Sequence, residues 1–394
     1  MTASTFFLNR LSGEPHALVF AGQSTPWTTA LADLATDPSL DEELRAAAAR
    51  ADRLLTPVAA DLLATTGHPV DLFGFTPNPA TLGAAADAVA SVEGIALTQL
   101  GALLDAANLG YDVAHAQPVA VIGHSQGIIA VHMVRAIAEA GSFEAAKPAI
   151  DSILAIAKLI GIAGTRQTRM LALNAKYGEA TPMLSVKGAT RAQVETLIGR
   201  VSGTRGPISI AVTNAPSHYV LSGYPEDLAA FAVETAKESK HQAKLREEKV
   251  RGGSVFAPVL EYLDVTLPFH SPLMADAVET AVAWAKASGL DAERARTLAD
   301  EVLVNHVDWA ARVNAVVGQS DPSQLWIVDL GPGMTAGKLI SALVQGTGAG
   351  VVEADSTAAR AALSTRESDP DRTQNWKDFA PSIVATPAGR KIRT

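Results

Sequence analysis

The stretch VIGHSQGIIA, residues 121–130, decides how this chain folds. A β-branched run leads into Gly-x-Ser-x-Gly and then into an apolar run, which predicts a strand, a sharp turn and a helix. Glycines at 123 and 127 leave room for the strand and the helix to approach closely, and Ser125 stands on the strained turn between them. Gly-x-Ser-x-Gly also occurs by chance on loops, but this context favours a nucleophile elbow with an exposed hydroxyl.

Around the elbow, short β-branched runs alternate with long alanine-rich stretches. The pattern predicts buried strands at residues 16–20, 118–122, 324–330 and 350–353, and helices at residues 41–63, 82–107 and 143–160. Such alternation is typical of an α/β fold with a parallel sheet. The predicted fold class is therefore α/β.

Residues 180–240 depart from this pattern. Strand-like runs at 183–186, 208–212 and 219–221 and helical runs at 192–198 and 225–237 give a β-α-β-β-α order. This order predicts an inserted subdomain with an antiparallel sheet, within a core at residues 1–179 and 241–357. Proline, glycine and charge dominate residues 358–394, which predicts a C-terminal linker. The chain is either a domain of a longer polypeptide or a protein with an irregular C-terminus.

Composition and charge exclude several classes of function. The 394 residues include 41 acidic and 32 basic side chains, and the basic ones form no stripe, so we expect no nucleic-acid partner. The absence of cysteine excludes disulfides, thiolate metal ligands and a catalytic thiol, and no metal site is expected. The first residues lack a signal-peptide pattern, and the longest uncharged stretch, residues 113–134, contains proline and histidines. We therefore expect no membrane span and a cytoplasmic location.

A serine nucleophile needs a base, and the chain has nine histidines. His270 is the strongest candidate because VTLPFHSPLM, residues 265–274, places it at a strand-to-helix loop, where a serine can cap and a proline can start the helix. That edge of a parallel sheet generally holds active sites. A lone loop histidine is more often a solvated surface residue. His124 is expected to point away across the elbow, and His132 lies about two turns along the next helix, so neither is a good base.

A serine nucleophile that attacks a carbonyl also needs donors for the developing oxyanion. The backbone N–H of Gln126 is one candidate, since it lies at a helix N-terminus whose dipole favours negative charge. A second donor should come from another loop at the same edge, and FAGQSTP, residues 20–26, follows the first strand in the required way. An ordinary glycine turn explains that loop equally well. DLGPG, residues 329–333, also follows a strand and is predicted to be a plain tight turn.

Taken in order, five motifs resemble those of one enzyme family. They are FAGQS (20–24), GHSQG (123–127), NAPSHYVLSG (214–223), LPFHSPLM (267–274) and DLGPG (329–333), spread over nearly the whole chain. The family is that of the acyltransferases of fatty acid and polyketide synthases, which move acyl groups from coenzyme A to acyl carrier protein. The resemblance implies an α/β-hydrolase-like large domain with an inserted ferredoxin-like small subdomain, in agreement with the change of pattern at residues 180–240.

The resemblance also implies a role for individual residues. Ser125 would be the nucleophile, His270 the general base, and the N–H groups of Gln23 and Gln126 the oxyanion hole. Asn214, with His124 and Ile160, is assigned to the substrate-binding residues. In this family a backbone carbonyl orients the histidine; the sequence does not assign that carbonyl, and the segment around Asn305 is one candidate.

The stretches KVRGGSVFAP (249–258) and WKDFAP (376–381) resemble the acyltransferase of bacterial type I fatty acid synthases. Malonyl-selective members carry an arginine that clamps the free carboxylate of the substrate, and Ile160 stands at that position here. A carboxylate facing isoleucine would be buried without a partner, so acetyl or another neutral acyl group fits better. The alternative is that Arg166 or Arg169 reaches in from the next turn.

The predicted function is transfer of an acetyl starter group from acetyl-CoA to acyl carrier protein. The coenzyme A thioester and the phosphopantetheine arm are expected substrates, with no tightly bound cofactor, and other domains of a fatty acid synthase are expected partners. The alternatives are a malonyl/palmitoyl transferase of the same synthase, a serine esterase or thioesterase, and a catalytically dead scaffold, which the intact candidate residues disfavour. The charge run at residues 244–251 could contact a carrier or simply be solvated.

Overall fold

The computed structural model of the chain describes residues 6–23, 27–67, 85–173, 180–201, 205–248, 255–333, 335–370 and 391–392. The strands are β1 (His16–Phe20), β2 (Ala120–Gly123), β3 (Met183–Lys187), β4 (Ser209–Ala215), β5 (His218–Ser222), β6 (Val259–Tyr262), β7 (Val307–Asp308), β8 (Trp326–Asp329), β9 (Gly350–Glu353) and β10 (Lys391–Ile392). The helices are α1 (Phe7–Arg10), α2 (Trp27–Leu34), α3 (Pro38–Leu54), α4 (Ala59–Thr66), α5 (Ala85–Asn108), α6 (Ile128–Ala140), α7 (Phe143–Met170), α8 (Arg191–Val201), α9 (Pro225–Glu247), α10 (Ala275–Ala287), α11 (Ala292–Ala299), α12 (Trp309–Val317), α13 (Thr335–Leu343) and α14 (Thr357–Ser364).

A parallel sheet organises the larger part of the molecule. Its strand order within the described ranges is β2-β1-β8-β9, and each neighbouring pair is parallel. Every residue of β1 and β8 is buried, as expected for strands covered on both faces. β1 and β9 lie at the predicted residues, and β2 begins at Ala120 rather than at residue 118. The prediction of an α/β fold with a parallel sheet is confirmed.

The helix predicted at residues 41–63 is interrupted. α3 ends at Leu54, a short 3-10 turn covers Thr56–Val58, and α4 follows. Pro57 explains the interruption, because proline has no N–H for the hydrogen bond that a continuous helix would need. The predicted start of the next helix at residue 82 lies outside the described residues.

α7 is longer than the sequence predicts, since it continues from residue 160 to Met170. Glycine lowers helix propensity, which is why the prediction ended before Gly161. A Cβ at Gly164 would lie only 2.3 Å from Cδ2 of Leu267, so this glycine permits close packing against the loop that carries His270. Packing of this kind offsets the low intrinsic propensity.

α7 is also apolar enough to cross a membrane by length and hydropathy alone. Among the helices that the structure describes it is the one that passes this test, but 83% of its apolar window is buried inside the molecule. It packs against α3, α5, α6 and α10. Its hydrophobic surface is therefore accounted for as the centre of the main core.

A second, mostly antiparallel sheet forms the inserted unit. Within the described ranges its strand order is β10-β6-β3-β5-β4-β7, and α8 and α9 follow β3 and β5 along the chain. β6 completes a β-α-β-β-α-β unit, so the sheet continues to Tyr262, past the predicted boundary at residue 240. α9 accounts for the difference, because it runs ten residues beyond the helix predicted at 225–237 and delays the last strand. A separate hydrophobic cluster, which includes Phe231 and Leu260, lies beneath this sheet.

The segment predicted as a linker from residue 358 is partly built into the fold. α14 lies at its start, and Arg360, which is 1% exposed, donates from Nε to the Asp105 carboxylate at 2.6 Å and from an Nη to the Ala354 carbonyl at 2.9 Å. The carbonyl of Arg366 accepts from the Phe7 N–H at 2.7 Å. A polar sequence misled the prediction here, because a long-range ion pair leaves no local pattern. Residues 371–390, including WKDFAP, lie outside the described residues.

Candidate active site

Ser125 and His270 meet at the carboxyl edge of the parallel sheet. Ser125 Oγ lies 2.8 Å from His270 Nε2, within hydrogen-bond distance. Both residues have φ in the left-handed region, +54° and +56°, although neither is glycine. Strained backbone at a site is maintained only when the surroundings determine it, and it clusters where groups must be preorganised. The structure thus brings together the two residues predicted as nucleophile and base.

Close packing of glycines holds the elbow in place. A Cβ at Gly123 would lie 2.2 Å from the carbonyl carbon of Gly127, and a Cβ at Gly127 would lie 2.2 Å from the carbonyl oxygen of Phe20. Real Cβ atoms essentially never approach so closely, so both positions require glycine. The strand, the turn and α6 therefore adopt the predicted elbow.

The imidazole of His270 is oriented by a backbone carbonyl. Nδ1–H donates to the Asn305 carbonyl oxygen at 2.9 Å, which leaves Nε2 unprotonated to accept the Ser125 hydroxyl proton. Burial lowers the pKa of His270 to about 3, and the Asn305 carbonyl, which favours the charged form, opposes this only in part. A ring that stays neutral at physiological pH is available as a base.

The loop after β1 lies directly against the elbow. A Cβ at Gly22 would lie 2.9 Å from Cβ of Ser125 and 3.2 Å from the backbone nitrogen of Gln126. The Gln126 side chain donates from Nε2 to Gln23 Oε1 at 2.9 Å, which links the loop to the 3-10 turn that carries Ser125. The two residues predicted to form the oxyanion hole are therefore neighbours at the nucleophile. Their role as N–H donors stays a prediction.

Asp329 has more than the tight-turn role predicted for DLGPG. Its buried carboxylate accepts from the N–H groups of Gly331 at 2.9 Å and Gly337 at 2.6 Å. Burial raises the pKa of Asp329 to about 7, and the two N–H donors oppose that rise. The Gly331 carbonyl in turn accepts from the Ala21 N–H at 2.8 Å, and Gln99 Nε2 donates to the Ala21 carbonyl at 2.8 Å. This turn therefore supports the loop that carries Gln23.

His124 faces the small sheet rather than the nucleophile. Its Nε2 lies 2.8 Å from Asn214 Oδ1, and its ring packs edge-on against Trp309 at a centroid distance of 5.1 Å. Asn214 Nδ2 lies 3.4 Å from His218 Nε2, and burial lowers the pKa of His218 to about 4. The pKa of His124 is also lowered, chiefly by burial. These neutral groups link the elbow to β4 and β5, in agreement with the expectation that His124 is not the base.

Arg312 was missed at the sequence level. It projects from α12 and donates to the Gly123 carbonyl at 2.9 Å, immediately before the elbow. Its charge helps to lower the pKa of both His124 and His270. A single arginine without a motif on either side carries no signal that could have identified it.

Ile160 is fully buried in α7. Gly164 lies one turn further along the same helix face, and Leu267 of the His270 loop packs against it, so Ile160 is on the side of α7 that faces this loop. Arg166 is exposed and lies over the Trp284 ring at 5.9 Å from its centroid. Arg169 is exposed and donates to the Thr65 carbonyl. Neither arginine reaches the site in this structure.

The remaining expectations concern metals and charge. Among the described residues no group of three or more histidines and carboxylates could hold a metal ion. Within the charge run at 244–251, Lys244 and Glu248 are exposed and 3.7 Å apart at the end of α9, which matches the solvated alternative. Residues 249–251 lie outside the described ranges.

Comparison with known proteins identifies the fold. The structure of a malonyl CoA-acyl carrier protein transacylase from Coxiella burnetii superimposes with a TM-score of 0.59 over 90% of this chain and 98% of that chain, at 17% identity. The malonyl-transacylase in complex with a type II polyketide synthase acyl-carrier protein superimposes with a TM-score of 0.58 over 89% and 98%, at 19% identity. The chain has the malonyl-transacylase fold. The predicted α/β-hydrolase-like large domain with a small subdomain is thus confirmed.

Sequence comparison relates the chain to fatty acid synthases. Residues 182–262 match the family model of the fatty acid synthase central AT domain, a range that spans β3 to β6. Fatty acid synthase 2 of Mycosarcoma maydis is 26% identical over 309 residues, which cover 69% of this chain and 8% of that protein. The chain spans less than a fifth of the length of four curated fatty acid synthase relatives, and these four are fungal rather than bacterial.

Proposed function

We propose that this chain is an acyltransferase that moves an acetyl starter group from acetyl-CoA to acyl carrier protein through an acyl-enzyme on Ser125. The observation that carries the proposal is the Ser125–His270–Asn305 relay, with Oγ 2.8 Å from Nε2 and Nδ1 2.9 Å from the carbonyl. The match to the fatty acid synthase AT model supports fatty acid synthesis as the setting. In that setting the chain would lie beside other domains of a fatty acid synthase. The predicted synthase is of the bacterial type I class.

In the first half-reaction Ser125 Oγ attacks the thioester carbonyl while His270 Nε2 takes the hydroxyl proton. The carbonyl π electrons move to oxygen, where the N–H groups of Gln23 and Gln126 would stabilise the charge. The intermediate collapses, the C–S bond breaks, and the coenzyme A thiolate receives the proton from His270. In the second half-reaction the phosphopantetheine thiol of the carrier gives its proton to His270 and attacks the seryl ester. The second tetrahedral intermediate collapses, the seryl C–O bond breaks, and Ser125 Oγ takes the proton from His270, which leaves the acyl group on the carrier thiol.

The choice of acyl group rests on Ile160. Ile160 is assigned to the position of the carboxylate-binding arginine, and its buried aliphatic side chain has no donor for a carboxylate. Malonyl would bring an unpaired buried charge, which costs several kcal/mol. The observed contacts of Arg166 and Arg169 direct both guanidinium groups elsewhere.

Malonyl transfer is the second candidate. The two solved structures compared above are malonyl transacylases by name, and Arg312 lies near the elbow with one donor bound to the Gly123 carbonyl. A malonyl carboxylate would then pair with a cation from α12 instead of one from α7. Hydrolysis is the outcome if water discharges the acyl-enzyme faster than the carrier does.

The test is intact-mass analysis of Ser125 loading with acetyl-CoA, malonyl-CoA and palmitoyl-CoA in separate reactions. We expect acetyl to load fastest and Ile160→Arg to shift the preference toward malonyl, with Ile162→Arg as a helix control for introducing the same charge. Equal kcat/KM for acetyl-CoA and malonyl-CoA in the unaltered chain would contradict the acetyl assignment. Loss of malonyl loading in Arg312→Gln would then support the second candidate.

A further inference from the structure

A partly buried pair, His132 and Glu301, joins the nucleophile helix to the segment that orients the base. His132 Nε2 donates to Glu301 Oε2 at 2.9 Å, with 15% and 28% of the two side chains exposed. His132 lies on α6, the helix that follows the elbow of Ser125. The proposed chemistry uses neither residue, and neither belongs to a motif described above.

Glu301 belongs to a segment of unusual backbone. Residues Asp300–Val304 form a π-helix directly after α11, and the Asn305 N–H closes it on the Asp300 carbonyl at 2.7 Å. π-helical turns are rare and occur mostly at functional sites. This one ends at the residue whose carbonyl orients His270.

The end of this π-helix contacts the base from two directions. The Asn305 carbonyl accepts from Nδ1 of His270 at 2.9 Å, and the Leu303 carbonyl accepts from the N–H of Ser271 at 3.0 Å. A shift of residues 300–305 would therefore move both the ring of His270 and its backbone. Glu301 is the residue of this segment whose side chain bonds to α6, the helix that follows Ser125.

We propose that His132 and Glu301 are positioning residues that hold the Asn305 carbonyl in line with Nδ1 of His270. The pair thereby fixes the tautomer whose unprotonated Nε2 faces Ser125. The inference rests on the proposed function, since it assigns these residues to the same dyad. Their action is indirect, because neither side chain touches Ser125 or His270 in the described contacts.

The test compares disruptive with conservative variants of the pair. His132→Leu and Glu301→Ala should each lower kcat for Ser125 acylation by about 10–100-fold with KM unchanged, the effect expected for a misplaced catalytic group. The double variant should lose no more than either single variant, because the two residues act as one unit. His132→Gln should recover most of the rate, since its amide Nε2 can donate to the same carboxylate. His115→Leu is the matched control, because His115 also pairs with a carboxylate, Asp112 at 3.1 Å, but both side chains of that pair are exposed.

A spectroscopic readout separates positioning from general stability. In ¹⁵N NMR of the side chain, His270 should show the Nδ1-protonated tautomer in the unaltered chain and in His132→Gln, and a mixture of tautomers in His132→Leu and Glu301→Ala. Wild-type rates in the disruptive variants, or lowered rates with an unchanged tautomer, would overturn the inference. The NMR signal needs no turnover. If the unaltered chain forms no acyl-enzyme, the proposed function is refuted, and the tautomer of His270 still tests whether His132 and Glu301 position the ring.

Discussion

Gly22→Ala perturbs the loop after β1 that carries Gln23, while the side chains of the nucleophile and the base stay unsubstituted. The backbone of Gly22 lies outside the left-handed region, so alanine is not strained there by conformation. Its Cβ would lie 2.7 Å from the carbonyl oxygen of His124 and 2.9 Å from Cβ of Ser125, whereas ordinary contact begins at 3.4 Å. The loop must therefore retreat from the elbow by about 0.7 Å, because the nearest clashing atom is backbone.

Such a retreat carries the next residue, Gln23, away from the developing oxyanion. Losing one oxyanion donor typically costs about 2.7–4 kcal/mol in the barrier, or a factor of about 10²–10³ in rate. We expect Gly22→Ala to form acyl-enzyme slower by this factor in a rapid-quench assay read by mass spectrometry. Gln23→Pro, which removes the N–H itself, should show a similar loss.

Gly199→Ala is the matched control, since a Cβ at this position in α8 has nothing within 4 Å. It should keep the full rate and a melting temperature at or above that of the unaltered chain, because alanine favours helix by about 1 kcal/mol. A folded Gly22→Ala that acylates within threefold of the control would refute the placement of the oxyanion donor.

The remaining predictions concern the base, its protonation and the C-terminal helix. His270→Ala should cut acylation by about 10²–10⁴-fold with an unchanged circular dichroism spectrum, and a near-normal rate would exclude it as the base. Because burial lowers the pKa of His270 to about 3, kcat/KM for acylation should not fall as pH drops through 6.5; an acid limb near 6.5 would contradict a buried neutral ring. Between about pH 6.5 and pH 3, His270 binds a proton in the unfolded chain but not in the folded chain. The contribution of His270 to the free energy of unfolding is therefore lost as pH falls from about 6.5 toward 3. Arg360→Met should lower the free energy of unfolding in urea by about 3–5 kcal/mol, since it leaves Asp105 buried without its partner, and a loss below about 1 kcal/mol would show that α14 is dispensable.

Local chemistry made the elbow predictable. Ser125 needs a strained turn, and that turn needs glycines at 123 and 127. A few adjacent residues are therefore enough to predict it. The buried strands were equally visible, because a short continuous hydrophobic run such as residues 17–20 of β1 is typical of a strand covered on both faces. His270 stood out only through its capped loop and the resemblance of its motif.

Features that depend on long-range pairing were not predictable. The Asn305 carbonyl orients the base, but a backbone oxygen carries no residue-type signal, and only the family resemblance suggested its segment. The predicted α7 was too short because it stopped before its glycines. Packing against Leu267 makes glycine favourable at position 164, and Leu267 is distant in sequence. The buried pair of Arg360 and Asp105 was invisible for the same reason.

The central claim is that Ser125 carries the acyl group between coenzyme A and acyl carrier protein. The most direct measurement is peptide mapping by mass spectrometry after incubation with acetyl-CoA, before and after addition of acyl carrier protein bearing phosphopantetheine. The account predicts one acetyl group on the peptide that contains Ser125, its transfer to the carrier thiol, and no adduct in Ser125→Ala. An acetyl group located on another residue, or one that persists in Ser125→Ala, would contradict it.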